Sequence, residues 1–228
     1  MPLHDDDWFP LPPEEHERQM LALTRALSPL PTRSVIDLGA GSGRVAIPLA
    51  RTGARVLAVD SDPAAIEICN AEGVATRRAD LLDPGLDLSP GGPFDAALCL
   101  GHTLMLIHRP PDAVRMLRAA QRALKPGGLF ITDNFPGPVW AEVAEGNWQE
   151  GVSADGAMQM VWAAGDNVIA LRRGPGVRPH DGTIRNDDRL LRLWSLGELA
   201  LLAEAAGFTG PVEDQPGGAL LIMRARNA

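Results

Sequence analysis

The sequence predicts an α/β protein built on a doubly wound, mostly parallel sheet. Short apolar runs alternate with amphipathic stretches over residues 34–134, and such alternation places a parallel sheet between two layers of helices. A glycine-rich turn, DLGAGSG, joins the first run to the first helical stretch and exposes backbone N–H groups to a ligand. After Asn134 the pattern becomes antiparallel, which indicates an insertion before the sheet is completed.

Each element of the first half follows from its own local pattern. The segment 1–30 begins with acidic residues and becomes a helical stretch with Met20, Leu23 and Leu27 on one face. Apolar runs predict the strands 34–38, 55–60, 74–80, 94–100 and 128–134. The stretches between them predict the helices 42–51, 63–71 and 111–124.

The second half predicts an antiparallel insertion and then a return to the main sheet. The runs AMQMVWAA and VIALRRG flank the turn GDN, as in a hairpin. SLGELALLAEAAGF predicts a helix with Ser195 as its N-cap, Glu198 in a capping box and Gly207 at its end. The run ALLIMRAR predicts a buried final strand. We expect a single domain over 1–228, with the segments 1–30, 31–134, 135–194 and 195–228.

Composition excludes several classes of protein. A formal net charge of −8 and the lack of a basic run with aromatic residues disfavour a nucleic-acid partner. No stretch is long and apolar enough to predict a membrane span, and the acidic start MPLHDDDWFP is unlike a signal peptide, so we expect a cytoplasmic protein. Cys69 and Cys99 lie in apolar runs and predict buried thiols, and no cluster of cysteine and histidine predicts a metal site.

The glycine turn indicates what the sheet binds. Gly39, Gly41 and Gly43 follow the first strand, where bare backbone N–H groups face a ligand with a negative or flat group. A dinucleotide turn requires a glycine where this chain has Arg44, and a phosphate-binding P-loop requires a Gly-Lys-Ser/Thr sequence that is absent. The remaining ligand that this kind of turn serves is S-adenosylmethionine.

Four segments in order, DLGAGSG, RVLAVDSD, RRADLLD and LKPGGLFITDN, resemble the class I S-adenosylmethionine-dependent methyltransferases. The resemblance extends over 32–134 and, more loosely, over the C-terminal helix and hairpin. It implies a Rossmann-like sheet of seven strands, parallel except the last, with 135–194 as a lid over the substrate. S-adenosylmethionine is then the expected cofactor, and the residues implied to bind it are Asp37, Gly39, Ala40, Gly41, Asp60, Ser61, Asp80, Leu81, Leu100 and Gly101.

Three of these residues are acids with separate implied roles. The resemblance places Asp37 near the amino group of the cofactor, Asp60 on both ribose hydroxyls and Asp80 on the adenine amino group. A carboxylate suits a ribose because it offers only acceptors to two donors. The residues alone also allow Asp60 to be a helix cap before Pro63, and either Asp80 or Asp83 to be a solvated loop acid.

The segment CLGHTLMLI predicts the place where methyl group and acceptor meet. It is similar to the Cys-Leu-Gly-Asn-Ser segment of the glycine N-methyltransferase group, but His102 stands where that group often has asparagine, so that group's substrate does not carry over. His102 is the catalytic candidate as a general base, or it forms a hydrogen bond to the cofactor or backbone. Thr103 borders the same centre. An amine acceptor is favoured over oxygen, because a neutral amine needs only an exposed lone pair.

Further substrate candidates lie outside this segment. Arg172 and Arg192 either clamp a carboxylate or lie on the solvent face of the hairpin. Trp8, Phe9 and Arg18 belong to a segment that often covers the cofactor in the family that the chain resembles, and that is otherwise a plain docking helix. The tryptophans of the second half either line a pocket or pack in the core: Trp140, Trp148, Trp162 and Trp194. We expect a small-molecule substrate. The alternative is a non-catalytic S-adenosylmethionine-binding protein whose channel is filled by Trp140 or Met105.

Overall fold

The computed structural model describes residues 11–30, 33–134, 148–149 and 151–226. The elements in chain order are α1 (Pro13–Leu27), β1 (Ser34–Leu38), α2 (Ala46–Arg51), β2 (Arg55–Asp60), α3 (Pro63–Ala71), β3 (Ala75–Arg78), β4 (Phe94–Cys99), α4 (Thr103–Leu106), α5 (Pro110–Ala123), β5 (Leu124–Asp133), β6 (Trp148–Gln149), β7 (Val152–Ser153), β8 (Met158–Trp162), β9 (Val168–Arg173), β10 (Arg189–Arg192), α6 (Leu196–Ala206), β11 (Val212–Glu213) and β12 (Leu220–Arg224).

The main sheet has seven strands in the order β11-β12-β5-β4-β1-β2-β3. β1 pairs in parallel with β2 and β4, and β4 with β5, whereas β12 is antiparallel to β5 and β11. The doubly wound sheet with a reversed last strand is therefore confirmed. Because the carboxyl ends of its parallel strands meet at one edge, residues that end β1, β2 and β4 are brought together there.

Helices cover both faces of this sheet. All positions of β1 are buried, and Val35 packs with α1, α2 and α3, whereas Ile36 and Leu38 pack with α5 and α6. This alternation explains why the strand reads as a continuous apolar run. Cys69 and Cys99 are both buried and unpaired in disulfides, as predicted.

Two elements begin at residues other than those predicted, for reasons of local structure. α2 begins at Ala46 and not at residue 42, because residues 41–45 form turns in which Gly41 and Gly43 have φ values of 53° and 86°. β5 begins at Leu124 and not at residue 128, because its pairing with β4 starts early and continues after a register shift. The helix α6 has its predicted capping box at Ser195 and Glu198 and ends at Gly207 with φ 86°.

The segment predicted to be a lid forms a second, antiparallel sheet with the order β10-β9-β8-β7-β6, and this sheet is called the lid below. It packs on the short helix α4, where Met105 contacts an apolar cluster from the lid and its edges: Met160, Ile169, Leu171, Leu191 and Leu193. Trp194 is buried, and its Nε1 donates to the carbonyl of Leu104 at 3.0 Å. Trp162 packs partly buried against the same cluster. The lid is thus attached directly to the segment that follows β4.

In the part of the chain that the structure describes, no helix is long and apolar enough to cross a membrane. Of the other predicted aromatic residues, Trp8, Phe9 and Trp140 lie outside the described residues, and for Trp148 only the backbone is described.

Candidate active site

A cleft of about 210 Å³ opens at the carboxyl edge of the main sheet. All ten residues that the sequence analysis assigned to the cofactor line it: Asp37, Gly39, Ala40, Gly41, Asp60, Ser61, Asp80, Leu81, Leu100 and Gly101. Thr103 lines it as well. The sequence analysis missed the other residues of the lining, which are Arg44, Val45, Ala79, Leu82, Leu106 and Ile107.

The glycine turn brings the end of β1 against the loop that follows β4. Gly39 has φ 70°, and a Cβ there would come within 2.5 Å of the Thr103 Cγ2 atom. Thr103 is itself fixed, since its Oγ1 donates to the carbonyl of Leu100 at 2.8 Å. Gly43 serves packing instead, because a Cβ there would lie 2.5 Å from the Ile47 side chain. Both positions therefore require glycine, because a side chain would overlap Thr103 at the first and Ile47 at the second.

We expect Gly39→Ala to lower the free energy of unfolding by about 2–4 kcal/mol, from left-handed backbone strain plus overlap with Thr103. Gly53→Ala is the matched control. Gly53 has φ 84°, but a Cβ there would meet no atom within 4 Å, which leaves only the strain of about 1–2 kcal/mol. Urea unfolding of both variants measures the difference. An equal decrease in the free energy of unfolding of the two variants would show that overlap with Thr103 does not contribute.

Asp60 connects the glycine turn to the start of α3. Its Oδ2 accepts the Gly41 N–H at 2.8 Å, and its Oδ1 accepts the Asp62 N–H at 2.9 Å. Asp62, and not Asp60, caps α3, because its Oδ1 accepts the Ala64 N–H at 2.9 Å. Each oxygen of the Asp60 carboxylate has a further lone pair, so two hydroxyl donors in the cleft can still be accepted.

Asp37 is the buried acid of the cleft, with 3% of its surface exposed. Burial raises the pKa of its carboxyl to about 7, Arg44 partly opposes that rise, and the charges of Asp60 and Asp133 add to it. A positively charged group bound beside Asp37 would favour the ionised carboxylate. The position is thus suited to a ligand's ammonium group.

Asp80 and Asp83, which the sequence could not distinguish, occupy different places. Asp80 is exposed at the mouth of the cleft, beside Leu81, and its Oδ1 accepts the Leu82 N–H at 2.9 Å. Asp83 accepts the Gly85 N–H at 2.8 Å and does not line the cleft. Asp80 is therefore the acid that a ligand in the cleft would meet.

A chain of hydrogen bonds connects α1 with the cleft. Arg44 Nη1 donates to Gln19 Oε1 at 2.8 Å and lies 2.9 Å from His16 Nδ1. Gln19 Nε2 donates to Asp133 Oδ1 at 2.6 Å, and Asp133 Oδ2 accepts the His102 N–H at 2.7 Å. Gln19 has one sequence signal that was overlooked: it lies on the helix face of Leu23 and Leu27, where a polar residue is expected to have a buried partner.

His102 does not line the main cleft. It lies beside a separate cavity of about 20 Å³, room for one water molecule, together with Thr132, Asp133 and Trp194. Its backbone is left-handed, with φ 66°. Burial lowers the pKa of its imidazole, and the charge of Asp133 opposes that shift. The predicted catalytic residue and Thr103 are therefore neighbours in sequence that face different cavities.

The two arginines predicted as substrate clamps bind protein groups instead. Arg172 forms a two-pronged ion pair with Asp188, with Nε–Oδ1 and Nη2–Oδ2 distances of 2.8 and 2.7 Å, and its other N–H groups donate to Gln159, Asp181 and Thr183. Neither it nor Arg192 lines the cleft.

Arg192 is held at the other end of the lid. It donates to the carbonyl of His108 at 2.7 Å, to Asp166 at 2.7 Å and to Glu198 at 2.9 Å, and it lies over the Trp194 ring at 5.0 Å. Arg18 is exposed and pairs with Glu15 at 3.6 Å. The contacts of Arg192 join the second sheet to the loop before α5 and to α6.

Comparison with known proteins gives a family match and several relatives. Residues 35–128 match the family model described as a methyltransferase domain. A cypemycin N-terminal methyltransferase from a Streptomyces species is 30% identical over 114 residues, which are 50% of this chain and 46% of that protein. A ubiquinone biosynthesis O-methyltransferase from Xylella fastidiosa is 33% identical over 110 residues, 46% of this chain and 43% of that protein. The chain thus spans less than half the length of these curated relatives.

Solved structures resemble the chain over almost its whole length. The CcbJ methyltransferase from Streptomyces caelestis has a TM-score of 0.65 at 22% identity, covering 95% of this chain and 97% of that one. CalS10, an amino pentose methyltransferase from Micromonospora echinaspora, has a TM-score of 0.62 at 19% identity, covering 92% and 90%. These likenesses establish the fold.

Proposed function

We propose that the protein transfers a methyl group from S-adenosylmethionine to a small-molecule acceptor, because residues 35–128 match the methyltransferase domain model and the fold resembles those of solved methyltransferases. The observation that carries the proposal is that the ten residues implied by sequence to bind this cofactor line one cleft. When bound, the cofactor supplies a methyl group activated by its positively charged sulfur.

The residues of the cleft fit this cofactor. Asp60 offers acceptors to the two ribose hydroxyls, and buried Asp37 offers a partner to the ammonium group of the methionine part. Asp80 accepts from the adenine amino group, and Leu81 and Ile107 offer apolar surface to its flat ring. Gly39 and Thr103 pack closely together in the lining of the same cleft.

An amine is the proposed acceptor. Among the described residues near Gly101, the cleft is lined by Leu100, Thr103, Leu106 and Ile107, which do not take up a proton at neutral pH. Methyl transfer to a neutral amine requires only that its lone pair be aligned with the methyl group. An oxygen acceptor usually also requires a general base. The curated relatives include both an N-terminal methyltransferase and O-methyltransferases, so the proposal of an amine rests on the chemistry of the cleft.

The non-catalytic alternative required the channel to be filled by a large side chain. Met105 packs under the lid, with Met160 and Leu191, and does not line the cleft. Trp140 lies outside the described residues. The position of Met105 supports an enzyme. The single-domain division, a cytoplasmic location and the lack of nucleic-acid or membrane partners stay predictions.

A panel of acceptors tests the proposed activity. The purified protein is incubated with S-adenosylmethionine and, in turn, small primary and secondary amines, alcohols and carboxylates, and release of S-adenosylhomocysteine is measured. Turnover with amines is the expected result. Turnover restricted to alcohols or carboxylates would contradict the proposed acceptor class, and binding of the cofactor without turnover of any acceptor would favour the non-catalytic alternative.

His102→Asn is expected to reduce kcat for an amine by less than about tenfold, because His102 lies beside the small cavity and not in the cleft. Asparagine tolerates the left-handed backbone at this position and keeps the N–H that Asp133 accepts. Steady-state kinetics between pH 5 and 9 measure the effect. A fall in kcat of about 100-fold or more, with loss of the acidic limb of the pH profile, would make His102 the general base.

A further inference from the structure

Asp133 and Gln19 form contacts to which the proposed function assigns no role. Neither residue lines the cleft, yet they are bonded to each other, and Asp133 is bonded to the loop that follows β4. That loop and the start of α4 contribute Leu100, Gly101 and Thr103 to the cleft. A residue that holds this loop therefore acts on the cleft from outside it.

The register of the main sheet brings Asp133 to the loop. β4 and β5 are parallel, with Cys99 opposite Thr132, so the last residue of β5 lies beside the chain that leaves β4. The Thr132 Oγ1 donates to the Cys99 carbonyl at 2.9 Å and joins the two strand ends. One residue further, the Asp133 Oδ2 accepts the His102 N–H at 2.7 Å. A carboxylate is a stronger acceptor for this N–H than a neutral group would be.

The loop needs such an anchor because its backbone is left-handed at two successive residues. Gly101 has φ 69° and His102 has φ 66°. Glycine adopts this region freely, whereas a residue with a Cβ does so at a cost in free energy, where its surroundings hold it there. The turn leads to Thr103, whose side chain occupies the space that a Cβ on Gly39 would need. The bond from Asp133 thus holds the strained residue on which the position of Thr103 depends.

Gln19 orients the Asp133 carboxylate from α1. The glutamine is 4% exposed, its Oε1 accepts from Arg44 Nη1 at 2.8 Å, and its Nε2 donates to Asp133 Oδ1 at 2.6 Å. A side chain at this place must accept from a guanidinium and donate to a carboxylate, and an amide does both. Because Gln19 binds Oδ1, the other oxygen of Asp133 is directed at the His102 N–H.

We propose that Asp133 is a positioning residue of the cleft, which holds the left-handed turn at Gly101 and His102 in the shape that binds the cofactor, and that Gln19 orients Asp133. The inference rests on the proposed function, since the cleft that it concerns is the proposed cofactor site. Asp133 acts through the backbone of the loop. Its replacement should therefore change affinity without removing any group that lines the cleft.

An exchange of polarity between the two side chains tests the inference. Asp133→Asn places an NH₂ donor against either Gln19 Nε2 or the His102 N–H, and Gln19→Glu places two carboxylates together. In the double variant, the new carboxylate at position 19 accepts from Arg44 and from the new amide at position 133, whose oxygen accepts the His102 N–H. Each single variant should weaken binding of S-adenosylhomocysteine about fivefold or more, and the double variant should bind within about twofold of the wild type. Calorimetric titration measures all four affinities.

Asn134→Asp is the matched control. Asn134 is the next residue along the chain, and its Nδ2 donates away from the loop, to Glu213 at 3.1 Å and to the Gly218 carbonyl at 3.0 Å. A carboxylate of the same shape loses both bonds, so Tm should fall while the affinity stays within about twofold of the wild type. A loss of affinity in this control as large as in Asp133→Asn would reduce the effect to one of stability and overturn the inference.

The other outcomes distinguish the inference from the function on which it rests. A wild type that does not bind S-adenosylhomocysteine would overturn the proposed function. A wild type that binds, with single variants weakened less than about fivefold or a double variant that does not recover, would overturn the positioning role alone. Should either single variant not fold, Gln19→Met carries the test, since it removes the amide that orients Asp133 and adds no charge. Exchange of the His102 amide hydrogen, measured by NMR, must then be about fivefold faster or more, and a smaller change overturns the inference.

Discussion

Asp60→Ala is expected to weaken binding of S-adenosylhomocysteine at least tenfold, a loss of about 1.4 kcal/mol or more. The carboxylate has two functions in this account. It accepts the N–H groups of Gly41 and Asp62, which holds the glycine turn against the start of α3, and it offers its remaining lone pairs to the ribose. Removing it loses both the partner of the ligand and the shape of the turn. Calorimetric titration gives the change in Kd.

Asp60→Asn is a more specific test of the acceptor role of the Asp60 carboxylate. Each oxygen of Asp60 already faces a backbone N–H, so an amide would place an NH₂ donor against another donor. We expect the asparagine variant to lose nearly as much affinity as the alanine variant. Asp62→Ala is the matched control: it removes the cap of α3, at a cost of about 1 kcal/mol in stability, and leaves the affinity nearly unchanged. Affinity within twofold of wild type in Asp60→Ala would contradict the role of Asp60.

Arg172→Met is expected to lower the free energy of unfolding by about 3–5 kcal/mol, because it leaves the Asp188 carboxylate buried without its cation. The Arg172 and Asp188 side chains are 3% and 5% exposed. Arg185→Met is the control, since that side chain is 45% exposed and its pair with Asp181 is screened by solvent, so a much smaller loss is expected. Urea unfolding measures both.

Further measurements on these variants distinguish a structural role of Arg172 from a role in substrate binding. Replacing both partners, in Arg172→Met with Asp188→Leu, should recover part of the lost stability, because no unpaired charge remains. A single variant with wild-type stability and a raised KM for a carboxylate-bearing acceptor would contradict this account and restore the predicted clamp. Since Arg172 lowers the pKa of Asp188, the contribution of the pair is present above the ordinary carboxyl pKa and is lost as pH falls through the lowered one.

The residues that the sequence placed correctly in the cleft are those fixed by short-range rules. Asp37, Asp60 and Gly101 each end or follow a parallel strand, and the carboxyl ends of such strands share one edge. Once the apolar runs are identified as parallel strands, the position of these side chains follows. The same rules predicted the helix α6 and its caps.

Two features do not follow from local sequence: the direction in which a side chain points and its long-range partners. Gly101 and Thr103 both line the cleft, but His102, which lies between them in sequence, lines another cavity. The backbone of His102 is left-handed. The partners of Arg44 come from α1 and those of Arg172 from a loop after β9, so no local pattern indicates them. The helix α4 and the strands β6 and β7 are too short to show a period.

Calorimetric titration of the wild-type protein with S-adenosylhomocysteine tests the central claim most directly, because it requires no knowledge of the acceptor. The account predicts one site with micromolar affinity, in the cleft that contains Asp37, Asp60 and Arg44. No detectable binding at millimolar ligand would contradict the claim that this cleft holds the cofactor of the methyltransferase family.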